Sequence, residues 1–160
     1  MLEQFLSSFF IVAASEMGDK TQLLVLAFAA RCPLPTVAGG VLLGLLLTNL
    51  MASLLGVGIG MALPLGYIKL GAGVMFLAFA GWTLWSGGDE EEDCGMNVPV
   101  PSPLAIAGIF FMAELGDKTQ LAALTLAARY QAFWPVWLGA SAGMILAISL
   151  AVGLGYLVGR

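Results

Sequence analysis

The chain has no histidine, only two cysteines, and just six basic and ten acidic residues in 160. A soluble domain of this length carries about 25% charged residues, against 10% here. That shortage excludes an ordinary soluble enzyme with a single core. It also excludes a nucleic-acid binder, because six scattered basic residues form no basic patch. The missing histidines and the wide separation of Cys32 and Cys94, with no Cys-x-x-Cys, argue for plain thiols rather than a metal or redox pair. The N-terminus lacks a basic leader and a small-residue cleavage site, so a removable signal peptide is not expected. What fills the chain instead is apolar: 60% of residues are hydrophobic and the mean hydropathy is +0.97. The chain reads as an integral membrane protein. Its isoelectric point near 4.5 owes much to one acidic run, Asp89 to Asp93, which holds five of the ten acids and reads as a solvated tether.

Crossing the hydrocarbon core takes roughly 20 apolar residues at about 1.5 Å each. That ruler predicts five transmembrane helices, near 5–30, 36–62, 66–87, 103–128 and 133–158. The dividers are Arg31-Cys32-Pro33-Leu34-Pro35, Pro64-Leu65-Gly66, the acidic and Pro-containing linker 88–102, and Arg129-Tyr130-Gln131. The segments show no apolar/polar alternation, so a β-barrel is excluded. The fold class is all-α membrane protein. Gly40-x-x-x-Gly44, Gly56-x-x-x-Gly60, Gly139-x-x-x-Gly143 and Gly155-x-x-x-Gly159 read as faces where helix backbones approach closely inside the bundle. Trp82, Trp85, Trp134 and Trp137 lie near span ends, as in an interfacial aromatic belt. Orientation is undetermined by charge, since Arg31 and Arg160 fall on one side and Lys69 and Arg129 on the other.

A duplication lies beneath the hydrophobicity. Ser15-Glu16-Met17-Gly18-Asp19-Lys20-Thr21-Gln22-Leu23 and Ala113-Glu114-Leu115-Gly116-Asp117-Lys118-Thr119-Gln120-Leu121 agree at seven of nine positions, at an offset of 98. The match runs on through Ala29-Ala30-Arg31 and Ala127-Ala128-Arg129. After one inserted residue, Gly40, Gly44, Gly56 and Gly60 fall on Gly139, Gly143, Gly155 and Gly159. Three spans separate the two copies, so they enter the membrane from opposite sides. That is the inverted-repeat plan of many secondary transporters, with the site at the midplane. The expected organisation is a first repeat over 1–87, the linker 88–102 and a second repeat over 103–160. The second repeat is expected to have a third helix beyond Arg160, so that six helices form the whole and this chain is a shortened form.

Both motifs start near mid-helix. Glu16, Asp19, Lys20, Glu114, Asp117 and Lys118 would cost about 15–20 kcal/mol together if they faced lipid, at roughly 2.5–3.5 kcal/mol each. They must face one another, water or an ion. The bland reading is ion pairing within each helix, Glu16 with Lys20 and Glu114 with Lys118, at i,i+4. That leaves Asp19 and Asp117, a local charge of −2, which one divalent cation or two protons neutralise. Alternating those two loads predicts electroneutral exchange of two protons for one divalent cation. On a regular helix Glu16, Asp19, Lys20 and Gln22 share an arc of about 160°, as do their counterparts including Gln120, while Thr21 and Thr119 fall outside it. Gly18 and Gly116 could loosen the helix and bring those hydroxyls round. Carboxylates, amides and hydroxyls are hard oxygen donors, suited to Mn²⁺, Ca²⁺ or Mg²⁺ rather than Zn²⁺ or Cu⁺, and Mg²⁺ dehydrates reluctantly. Asn49, with Thr48 and Ser53 midway along the second span, reads first as glue between helices and second as an auxiliary ligand. Its counterpart is the apolar Ile148.

Two copies of Glu-x-Gly-Asp-Lys-Thr resemble the signature of a family of Golgi, chloroplast and bacterial Ca²⁺/Mn²⁺ transporters, once grouped as uncharacterised membrane proteins and thought to be cation/proton antiporters. The resemblance spans nearly the whole chain. It implies that Glu16, Asp19, Glu114 and Asp117 are the cation ligands, with Thr21, Thr119, Gln22, Gln120, Lys20, Lys118, Gly18 and Gly116 as supporting motif residues. It implies no resident cofactor, protons as counter-substrate, a cytosolic linker, and the lipid bilayer and a divalent cation as partners, with no nucleic acid or obligatory protein partner. The short loops and missing organellar presequence resemble a bacterial member of a plasma or thylakoid membrane. Two rival readings remain. A channel or uniporter would share the acids but not the proton coupling. An intramembrane aspartyl protease would use Asp19 and Asp117 as a dyad, but would leave Glu16, Glu114 and the lysines without a role.

Overall fold

The computed structural model describes residues 1–64, isolated positions and short runs between 66 and 81, and 102–158. The acidic run, Cys94, Trp82, Trp85, Gly159 and nearly all of the expected linker lie outside the described residues. Six helices are bounded within them: α1 (Leu2–Glu16), α2 (Lys20–Arg31), α3 (Leu34–Ala62), α4 (Pro103–Glu114), α5 (Lys118–Tyr130) and α6 (Phe133–Val158). The described positions between 66 and 81 are helical too. No strand occurs among the described residues, so the all-helical class holds. Of these helices, α3 and α6 are long and apolar enough to cross a membrane.

Local sequence sets the ends. Pro33 caps α3 from an extended conformation and Pro35 sits in its first turn, where a missing N–H costs nothing. Ser102 caps α4, its hydroxyl accepting from the Ala105 N–H at 3.2 Å, ahead of Pro103. Gln131 takes a left-handed φ of 49° between α5 and α6, and its amide donates to the Gly60 carbonyl at 2.7 Å.

The expected continuous helices over 5–30 and 103–128 are each broken near the middle. Met17 and Leu115 are extended, and Gly18 and Gly116 have φ of +80° and +81°. A non-glycine residue pays about 1–2 kcal/mol in that region, so the glycines permit the break rather than merely loosening a helix. A Cβ at either glycine would meet nothing within 4 Å, which isolates the backbone term. Gly18→Ala and Gly116→Ala are therefore each expected to lower stability by about 1–2 kcal/mol, roughly 2–8 °C in Tm for a chain of this size. Thermal unfolding in detergent micelles checks this, and an unchanged Tm would contradict it.

Packing exchanges partners between the two halves of the chain. α1 lies mainly on α6, while α3 lies on α4 and α5. α2 also meets α6, α1 meets α5, α2 meets α4, and α3 crosses α6. Swapping α1, α2 and α3 for α4, α5 and α6 returns the same set of pairings. The small-residue faces make these contacts. Gly40 and Gly44 lie against Ile106 and Phe110 of α4, Gly56 and Gly60 against the α5 backbone at Leu124 and Ala128, and Gly139 and Gly143 against the α1 backbone at Phe5 and Phe9. Around these seams a common core gathers Val12, Phe28, Leu45, Phe110, Ala123 and Met144, one from each of α1 to α6. The outer surface is apolar as well, with Phe10, Leu23, Leu54, Met112 and Leu150 exposed, which suits a lipid surround.

Candidate cation site

Each break turns a mid-helix motif into two helix ends. Asp19 caps α2, its Oδ1 accepting from the Lys20 N–H at 2.8 Å, and Asp117 occupies the same place on α5. The Asp19 and Asp117 N–H groups donate back to the Glu16 and Glu114 carbonyls, both at 3.2 Å. The site thus faces two helix N-termini, whose partial positive charge favours the capping carboxylates. It also faces two C-termini, whose partial negative charge favours a cation.

Glutamines close both loops. The Gln22 Oε1 accepts from the Gly18 N–H at 3.3 Å, and its Nε2 donates to the Glu16 carbonyl at 3.0 Å and to the Ala147 carbonyl of α6 at 3.2 Å. The Gln120 Oε1 accepts from the Gly116 N–H at 2.6 Å. Each glutamine spends the amide oxygen a cation would need on bracing the break. The threonines that a regular helix turns away are brought in. Thr21 donates to Glu16 Oε2 at 2.8 Å. Thr119 lies between Glu114 Oε2 at 3.4 Å and Asp117 Oδ2 at 3.5 Å.

The breaks bring acids from both motifs together. Glu16, Asp19 and Asp117 each offer a carboxylate oxygen within 4.8 Å of the others. Glu16 and Glu114 are both fully buried, and each leaves its Oε1 without a hydrogen-bond partner. An uncompensated buried carboxylate oxygen is costly, so these two acceptors call for a proton or a cation. Glu114 is not drawn into the three-carboxylate cluster.

The pairing expected within each helix does not form. A break between Glu16 and Lys20 removes the i,i+4 geometry on which it depends, and the same holds for Glu114 and Lys118. The ion pair among the described residues runs between the two motifs, from Lys118 Nζ to Asp19 Oδ2 at 2.9 Å. Lys20 is exposed. Three clustered carboxylates and Lys118 give a formal charge of −2 when ionised, the value expected from the motif by a different pairing.

The Asn49 hydrogen bonds go to the backbone of its own helix and to a group of another, not to the acids. Its Nδ2 donates to the Leu45 carbonyl of its own helix at 3.1 Å and meets Met144 Sδ of α6 at 3.6 Å. Thr48 likewise returns to the Gly44 carbonyl at 3.0 Å. Ser53 on α3 and Ser141 on α6 bury hydroxyl oxygens without partners. Ser141, within Gly139-x-x-x-Gly143, gave no sequence signal beyond small size. Trp137, read as belt, also donates from Nε1 to the Leu46 carbonyl at 3.1 Å, and Cys32 is a free thiol.

Residues 4–91 and 103–160 match a family described as "Divalent cation/proton antiporter GDT1". The chain is 42% identical over 141 residues to a Vibrio cholerae serotype O1 protein named "Putative manganese exporter", a match covering 85% of this chain and 68% of that one. It is 32% identical over 181 residues to a GDT1-like protein of Synechocystis, covering 100% of this chain and 87% of that one. No solved structure matches it.

Proposed function

The chain belongs to the GDT1 family of divalent cation/proton antiporters, whose members are transporters and not enzymes, and from that premise we propose that it carries Mn²⁺ or Ca²⁺ across a bacterial membrane in exchange for protons. The site is built from both motifs: Glu16, Asp19 and Asp117 as ligands, Glu114 as the fourth acid at their edge, and the two threonines as neighbouring donors. The single observation that carries this reading is the three-carboxylate cluster assembled from two broken helices, beside two buried carboxylate oxygens with nothing to bond. Lipid-facing acids would serve no such end. The donors are hard oxygens, which favours Mn²⁺ and Ca²⁺, and the name of the Vibrio relative favours Mn²⁺ between them.

The architecture that goes with this function has five transmembrane passages within these 160 residues, the first and fourth each broken into two half-helices. They form inverted repeats over 1–87 and 103–160 joined by a linker over 88–102. Three features support it: the duplicated motif, the pair of matching breaks, and helix pairings that survive exchange of the two halves. Discontinuous helices at the midplane are a recurring way to place backbone dipoles and carboxylates around an ion in lipid. A multi-pass protein of the bacterial plasma or thylakoid membrane follows.

One shared site per chain is the testable core. Mn²⁺ titrated into the purified protein, with free Mn²⁺ followed by its paramagnetic resonance signal, is expected to fill one site per chain. That site is expected to vanish in Asp19→Asn and equally in Asp117→Asn. Two independent sites, each lost with its own aspartate, would contradict a site shared between the motifs.

A further inference from the structure

The two motifs are nearly identical in sequence yet stand in different states. Asp19 Oδ1 accepts from the Lys20 N–H, and its Oδ2 lies in an ion pair with the Lys118 ammonium, a contact of charge rather than of hydrogen-bond geometry. Asp117 makes no capping bond through its side chain and has only a long contact from Thr119. Thr21 gives Glu16 one short bond, whereas Thr119 sits between two acceptors at long range. Lys118 reaches across to the opposite motif, while Lys20 is exposed and has no ion-pair partner among the described residues. The motif residues themselves do not account for this, because they are the same in both copies; what differs is the conformation in which each motif is held.

Resting on the transport reading above, we propose that Lys118 and Lys20 are alternating built-in counter-cations. Each pairs with the aspartate of the other motif in one access state and gives way when the transported ion arrives. In the state described here Lys118 holds Asp19, and in the opposite state Lys20 holds Asp117. An ammonium at 2.9 Å from Asp19 Oδ2 occupies the oxygen that a cation must take. Two positive charges on one carboxylate repel at close range in a medium of low dielectric, so binding expels the lysine. The Lys118 side chain is 36% exposed, which leaves it a way out. Between ions the lysine does the reverse service, partly neutralising the carboxylate cluster so that, with the counter-transported protons bound, the carrier can change access without a bare charge in lipid. An inverted repeat needs one such lysine per half, because changing access exchanges the roles of the halves.

The test uses the full chain, with Mn²⁺ as the probe for both binding and exchange. Lys118→Gln is expected to bind Mn²⁺ about tenfold more tightly, since the competitor is gone. Its proton-coupled exchange in proteoliposomes is expected to fall about tenfold or more, since the proton-loaded carrier is trapped. Lys118→Arg, which keeps the charge, is expected to restore both. Lys20→Gln is expected to show the same tighter binding and slower exchange, although its side chain makes no ion pair here. A purely structural lysine would weaken binding and rate together. Unchanged or weaker binding in Lys118→Gln overturns the proposal. Exchange at the wild-type rate in Lys20→Gln overturns it as well, and this exposed position serves even if Lys118→Gln does not fold. Wild type that binds no Mn²⁺ would instead defeat the transport reading beneath it.

Discussion

Replacing Asp19 or Asp117 by Asn is expected to cut divalent-cation flux about a hundredfold or more, equivalent to about 2.7 kcal/mol, while the helices stay intact. Asn keeps the size of the side chain and a capping oxygen, so the α2 cap survives, and α5 has no side-chain capping bond to lose. What it removes is charge and one hard ligand oxygen. The cluster of Glu16, Asp19 and Asp117 then holds two acids instead of three, and a divalent ion loses both a contact and half the formal attraction of a site at −2. Loss from either motif separates a shared site from two parallel ones. Flux of Mn²⁺ or Ca²⁺ into proteoliposomes carrying an internal indicator measures it. A variant that keeps half the wild-type flux would remove that aspartate from the site.

The second large effect concerns the seams between helices. Gly56→Ala and Gly139→Ala are each expected to cost about 3 kcal/mol or more and to lower the folded yield sharply. A Cβ at Gly56 would strike the Leu124 carbonyl and reach Ala127 Cβ at 2.7 Å. At Gly139 it would strike the Phe5 carbonyl and reach Ser8 Cβ at 3.0 Å. Backbone on the opposing helix cannot yield as a flexible side chain can. Gly39→Ala and Gly58→Ala serve as controls on α3, because nothing lies within 4 Å of the added carbon. They are expected to stay within about 0.5 kcal/mol of wild type. Denaturation in detergent distinguishes the pairs, and equal stability across all four would show that these glycines are not the contact points.

Much of this was legible in the residues before any geometry. The duplicated motif located the acids and tied them to one another at a fixed offset. Three of the four Gly-x-x-x-Gly spacings, those at Gly40, Gly56 and Gly139, marked faces that pack, and the α3 and α6 boundaries fell within a few residues of the hydropathy ruler. The breaks were harder to see, because a hydropathy window measures length and passes over three residues. Their signal was present in Met17-Gly18-Asp19 and Leu115-Gly116-Asp117. A glycine suited to left-handed φ ends one helix, and an aspartate that caps the next follows at once. Reading each motif on a regular helix misdirected the i,i+4 pairing of Glu16 with Lys20, which holds only on an unbroken helix. The loosening considered at Gly18 and Gly116 already pointed to Thr21 and Thr119 turning inward. The reach of Lys118 to Asp19 had no signal at all, since it depends on how the two motifs meet in space.

Ion stoichiometry tests the central claim most directly. Proteoliposomes loaded with a pH indicator and a Mn²⁺ or Ca²⁺ indicator would be subjected to pH gradients of either sign, with proton and cation fluxes counted together. The account predicts saturable cation movement that reverses with the gradient, at about two protons per divalent ion, with no net charge carried. Cation flux that ignores the pH gradient and fails to saturate would contradict it, and would make the three-carboxylate cluster the lining of a channel instead.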